Sequence, residues 1–164
     1  MSFQKQVNLK QALGNVGQIS KAHHSFLNVI PAIAADEFVK VGSFVQSKTS
    51  PTNENEVIGA SGKAISGSIL GVVVRDSLKV AGDSTPTLEV KKGENCAILT
   101  EGSIFIEVNV IAKKGQYVFL KTADGSLGFY DTNTQGGYTY TGFRVSKGND
   151  TATAGLIEIT TARA

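Results

Sequence analysis

From residue 38 onward the chain alternates short apolar runs with polar turns, many of them punctuated by glycine, and this rhythm holds to Ile159. Runs of about four to eight β-branched and aromatic residues bounded by Gly, Asn, Asp or Ser predict strands. Residues 38–45 open the series as one β-prone run in which Val39, Val41 and Val45 share a face. Residues 69–74 are apolar on both faces, which predicts a central strand covered on both sides, with Gly71 marking a bulge or a close backbone approach. Leu88, Glu89 and Val90 resume the alternation, and Lys92, Gly93 and Glu94 turn the chain into residues 96–100. Glu101 and Gly102 lead from there into residues 103–110, the strongest hairpin signal of the chain. Here Ile104, Ile106, Val108 and Val110 define a buried face, and Glu107 and Asn109 a wetter one. Asp124 and Gly125 supply a favoured two-residue hairpin turn between residues 117–120 and 127–130. After a Gly-rich tip at 131–137, Tyr138, Tyr140, Phe143 and Val145 continue the pattern, and residues 156–159 close it. Roughly eight to ten strands without an amphipathic helix predict an all-β fold, an antiparallel sandwich or jelly-roll-like barrel.

The first 35 residues stand outside this rhythm. Phe3, Val7, Leu9, Leu13, Val16 and Ile19 fit neither sustained helical spacing nor strict alternation, and Gly14 and Gly17 disfavour a helix. The chain therefore divides into an extended N-terminal arm, residues 1–35, and a single β domain, residues 36–164. With 164 residues in all, one core is expected to bury roughly 70% of the unfolded surface. The apolar residues of the arm need a surface to lie on, either this body or another chain. Residues 26–35 imitate the apolar part of a signal peptide and end in Ala32, Ile33 and Ala34. Pro31 interrupts that run and the residues before it are long and polar, so an intracellular product is expected. No stretch approaches the ~20 apolar residues of a membrane span.

A net charge of +2, with no block of like charges, leaves little electrostatic drive toward nucleic acid. The pairs Lys91, Lys92 and Lys113, Lys114 each precede a glycine and read as solvated turns. Cys96 is the single cysteine, which excludes an intramolecular disulfide and every multi-thiolate metal site; its neighbours make it a small buried hydrophobe. His23 and His24 are adjacent, point apart in an extended chain, and have no third histidine to join them. Residues 59–63 miss the spacing of both a nucleophile elbow and a phosphate loop. Catalytic residues, a metal and a cofactor are therefore not expected. Tyr138 and Tyr140 project to one face beyond a Gly-rich loop, a platform that could stack on sugars or bases, anchor a protein interface, or simply pack in the core.

The opening Phe3, Gln4, Val7, Asn8, Leu9, Ala12, Leu13, Gly14 and Gly17 is similar to the N-terminal arm of tailed-bacteriophage structural cement, or capsid decoration, proteins. The resemblance continues in Gly71, Val72, Val73, in Glu101, Gly102, Ser103, Ile104, in Thr141, Gly142, Phe143, Arg144, Val145, and in residues 154–159. It implies a small all-β protein that is not an enzyme and binds the outside of an icosahedral capsid as a homodimer or homotrimer. There it would clamp adjacent major capsid protein subunits against the pressure of packaged DNA, with no direct contact to nucleic acid or membrane. The implied location is the exterior of the virion capsid, after synthesis in the host cytoplasm. Under this reading Phe3, Val7, Leu9, Leu13 and Val16 anchor the arm on a capsid or sister subunit, and Tyr138 and Tyr140 belong to an exposed contact surface. The alternative, from another class, is a carbohydrate-binding β-sandwich module on a virion surface.

Overall fold

The computed structural model of the chain describes residues 14–20, 27–36, 38–75, 88–149 and 155–161, and every regular element in them is a strand. In chain order these are β1 (Asn28–Ala34), β2 (Phe38–Lys40), β3 (Phe44–Ser47), β4 (Glu56–Gly59), β5 (Ile69–Val73) and β6 (Glu89–Lys91). They continue with β7 (Asn95–Glu101), β8 (Ser103–Val108), β9 (Tyr117–Lys121), β10 (Leu127–Tyr130), β11 (Tyr138–Lys147) and β12 (Gly155–Thr161).

In five strands the alternation directs small or β-branched side chains toward a common interior. Ala32 and Ala34 of β1, Val45 of β3, Val57 of β4, Val73 of β5 and Ile98 of β7 are buried in one cluster, and the strands close around it in the order β1-β4-β3-β5-β7. A five-stranded barrel has room for little more, because small barrels are filled by their own side chains. β2 and β6 pair as a short ribbon and add Val39 and Val90 to the same cluster. β1 runs antiparallel to β7, with Ala32 opposite Cys96, and parallel to β4, with Ala34 opposite Val57. The other described pairings are antiparallel.

The second layer is an antiparallel sheet in the order β10-β9-β11-β12-β8. Its inner face, including Ile104, Ile106, Val118, Leu120, Phe143 and Ile157, packs on residues that the barrel wall turns outward: Phe44, Val72 and Leu99. Phe44 meets Phe143 edge to face at 5.6 Å between ring centroids. β5 therefore lies between two cores, Val72 in the shared cluster and Val73 inside the barrel, as its apolar run predicts. Gly71 is the close approach expected of it: a Cβ there would stand 2.0 Å from the Leu99 carbonyl oxygen.

Several local expectations are revised. Residues 38–45 are not one strand, because the chain turns at Val41–Ser43, where Ser43 Oγ donates to the Lys40 carbonyl at 2.7 Å. The valines on either side of that turn still reach one core, with Val41 packed against it. β7 and β8 do not form a hairpin. Only Gly102, at φ 131°, separates them, which leaves no loop to reverse the chain; it makes a corner from the barrel into the sheet, where β8 pairs with β12. Val110 lies beyond β8 and is 38% exposed, and Cys96 is half-buried. The hairpin at Asp124 and Gly125 is present, with a loop longer than two residues: Leu127 pairs with Leu120, and Gly125 N–H donates to the Lys121 carbonyl. Asn28–Ala34, in the stretch read as arm, is a barrel strand.

Candidate contact surface

Because β9, β10 and β11 send Val118, Leu120, Leu127, Phe129 and Phe143 toward the core, the alternate positions gather on the outer face of the sheet. The register sets Tyr130 opposite Tyr117 and Tyr140 opposite Phe119, and brings Tyr138 to Lys121. The result is a connected group of aromatic rings. Phe119, buried, contacts Tyr130 at 5.6 Å and Tyr140 at 5.4 Å between centroids; Tyr130 meets Tyr138 at 5.1 Å, and Tyr117 meets Tyr140 at 5.6 Å. Gly128 makes room for two of them, since a Cβ there would lie 2.8 Å from Tyr130 Cε2 and 3.0 Å from Tyr138 Cε1. Of the two tyrosines singled out from sequence, Tyr138 is half-buried and Tyr140 is 39% exposed.

β11 carries an irregularity between Tyr140 and Arg144, within which Thr141 Oγ1 donates to the Val118 carbonyl at 2.8 Å. The shift brings Arg144 opposite Tyr117. Its guanidinium carbon lies 4.1 Å from the Tyr117 ring centroid, Nη2 donates to the Tyr117 hydroxyl at 2.6 Å, and Nε is buried without an acceptor. The hydrogen bond with Tyr138, followed by burial, raises the Tyr130 phenol above its ordinary range. At the β9–β10 loop the Ser126 hydroxyl, then its amide, then Lys121 hold the Asp124 carboxyl down at about 2. The face is mainly aromatic, with hydroxyls and the cations Lys121 and Arg144 among its groups. Sequence reading missed Tyr117, Phe119, Tyr130 and Arg144 as members; alternation within each strand marks their faces, but only the register joins them.

Residues 14–20 lie at the opposite edge of the sheet, beside β8. Gly17 N–H donates to the Phe105 carbonyl at 2.8 Å, Phe105 N–H to Gln18 at 3.0 Å, and Ser20 N–H to Ser103 at 2.8 Å, while Ile19 bridges Ile104. Residues 17–20 thus extend the sheet beyond β8. Arg75 N–H also donates to the Gly17 carbonyl at 2.7 Å, tying the same segment to the end of β5. Val16 is half-buried beside Gly42, where an added Cβ would meet it at 2.4 Å. Phe3, Val7, Leu9 and Leu13 lie outside the described residues, as do His23 and His24. A groove of about 530 Å³ runs between barrel and sheet; Val16, Phe44, Leu120 and Leu127 line it, with Lys40 and Glu107 among its polar residues.

Other polar features have structural partners. Lys63 forms an ion pair with Asp36, whose other oxygen accepts from Gly59 N–H at 2.7 Å, so the 59–63 turn is fastened to the end of β1. Among the described residues no group of three or more His, Cys, Asp or Glu is arranged to hold a metal.

Compared with known proteins, residues 3–162 match the family described as Structural cement protein (E217 gp24/Pam3 gp6). Among solved structures, a chain from the capsid of Myoviridae phage XM1 is similar at a TM-score of 0.60 and 16% identity, over 99% of this chain and 99% of that one. At that identity the likeness is one of fold. No curated protein matches.

Proposed function

This chain belongs to the structural cement protein family of phages, and from that premise we propose that it binds the outer surface of a phage capsid and clamps adjacent major capsid protein subunits, stabilising the head. The observation that carries this reading is the extent of the family match, which takes in both the arm and the β body. The geometry supports it. A barrel and a sheet that share one core make a stiff block, and residues 17–20 fasten the arm to that block along β8. The thirteen residues before Gly14 can span at most ~45 Å when extended, enough to cross to a neighbouring subunit. Repetition over a shell then multiplies individually weak contacts. The aromatic face around Tyr138 and Tyr140 supplies a second contact surface, on the sheet side away from the barrel.

A carbohydrate-binding role finds less support in the same rings. Sugar stacking needs a flat ring face open to solvent, whereas most of these rings meet edge to face and cover one another.

The test removes residues 2–13 and keeps residues 14–20, so that the edge of the sheet stays closed. The truncated chain is expected to remain folded by circular dichroism and to decorate purified heads at least tenfold more weakly in a sedimentation assay. Undiminished decoration overturns the arm as tether.

A further inference from the structure

The two edges of the five-stranded sheet differ. Residues 17–20 close the β8 edge, whereas the β10 edge has no backbone partner among the described residues. Antiparallel pairing turns alternate residues of a strand toward its neighbour. Lys121 N–H donates to the Ser126 carbonyl at 2.9 Å, and Gly128 and Tyr130 follow in the same phase opposite Phe119 and Tyr117. The N–H and C=O groups of Leu127 and Phe129 therefore point out of the sheet. The side chains of these two residues pack on the core yet stay half-buried. Edge strands are ordinarily protected by charge, proline or a bulge, and Leu127–Tyr130 has none of these. Leu127 also lines the groove between barrel and sheet.

We propose that residues 5–10 of a second copy of this chain add to that edge as a strand antiparallel to β10, with Val7 opposite Phe129 and Leu9 opposite Leu127. This deepens the tether reading and rests on it. Residues 5–10 lie outside the described residues; their sequence, Lys5, Gln6, Val7, Asn8, Leu9, Lys10, is an apolar alternation with a lysine at each end. In the stated register Val7 and Leu9 fall on the core side and Leu9 meets the groove, while Asn8 falls opposite Gly128. Lys5 falls opposite Asp131. Lys10 falls opposite Ser126, whose amide donates to the Asp124 carboxylate. A carboxylate thus stands near each lysine, Asp131 at one end and Asp124, shared with Lys121, at the other, and the centre is apolar on apolar.

The direction of the arm selects a second copy over the same one. Val16 lines the groove, but Gly14 already lies against the Phe105 ring, on the outer face of the sheet, so the chain leaves the groove as it runs toward its N-terminus. The four steps from Lys10 to Gly14 span at most ~14 Å, which requires donor and acceptor copies to be in direct contact.

Heads assembled with a mixture of two full-length variants, Leu9→Cys and Leu127→Cys, each in a Cys96→Ala background, test the proposal after mild oxidation. Residues paired across two strands lie within disulfide reach. The expected result is a non-reduced band at twice the 17.2 kDa chain mass that requires both variants in the same heads. A second pair, Val7→Cys with Phe129→Cys, gives the same readout should Leu127→Cys fail to fold. The chain carrying both Leu9→Cys and Leu127→Cys is expected to link between copies. Mixed heads in which neither pair links, or a double variant that closes within one chain, overturn the proposal. Heads that lose decoration on removal of residues 2–13 while neither pair links would leave the arm a tether to the capsid and reject the β10 edge as its seat.

Discussion

Gln46 shows how one side chain can organise a loop. It has no exposure, whereas the other fully buried residues of the barrel strands are apolar, and its three side-chain hydrogen bonds all go to residues 64–67. Its Oε1 accepts from Ser66 N–H and Gly67 N–H at 2.9 Å each, and its Nε2 donates to the Ala64 carbonyl at 3.1 Å. Residues 64–67 lead directly into β5, so this amide sets where a barrel strand begins. Gln46→Leu keeps the volume and removes three hydrogen bonds; at about 1 kcal/mol for each group left without its partner, a loss of roughly 2–4 kcal/mol is expected. Urea unfolding should show it as a lower midpoint with an unchanged slope. Nothing in the local sequence announces this role, because a single Gln in an apolar run looks the same whether it faces water or a loop. Gly71 is the contrary case: a glycine inside an unbroken apolar run already signals a close backbone approach, and the Leu99 carbonyl is what approaches.

At the level of elements, the alternation of side chains predicts most strands and which face of each turns inward. Tyr138 and Tyr140 are legible this way, and so is the buried face formed by Ile104, Ile106 and Val108. Pairing is not, since it depends on which edges find hydrogen bonds. The segment 17–20 illustrates the energetics: it meets β8 through three backbone hydrogen bonds, places Ile19 against the shared core, and comes with Gly14 against Phe105. Burial and hydrogen bonding of this extent amount to about 3 kcal/mol. Removing residues 2–20, in contrast to residues 2–13, is therefore expected to lower the thermal midpoint by roughly 6–12 °C, at ~2–4 °C per kcal/mol for a chain of this size. It should also promote association, because the β8 edge is left bare. Calorimetry and light scattering on the two truncations check both outcomes.

For the whole molecule the decisive feature is that barrel and sheet share a core. Phe44 belongs to the barrel wall, is 3% exposed, and packs against Phe143 of the sheet. Phe44→Ala should cost about 3–5 kcal/mol, the range for emptying a buried aromatic site. Because that cluster belongs to both layers, native-state hydrogen exchange is expected to show protection falling together at Val72 and Ile157; a loss confined to one layer would mean that they unfold separately. Such a shared core suits a structural protein of the phage capsid.

By itself the sequence determined that the chain is all-β, where most strands run, which side chains turn inward, and that stretches along most of its length resemble phage cement proteins. These properties are local: they follow from the alternation of Cβ directions along a strand and from what glycine permits. Only the tertiary structure decided that β7 and β8, one residue apart, belong to different layers, that Asn28–Ala34 closes a barrel, and that Arg144 and Tyr117 join Tyr138 and Tyr140 on one face. Those outcomes depend on residues distant in the chain, because a strand settles where both its faces are covered and its backbone groups are paired, and no short window of sequence contains the partner.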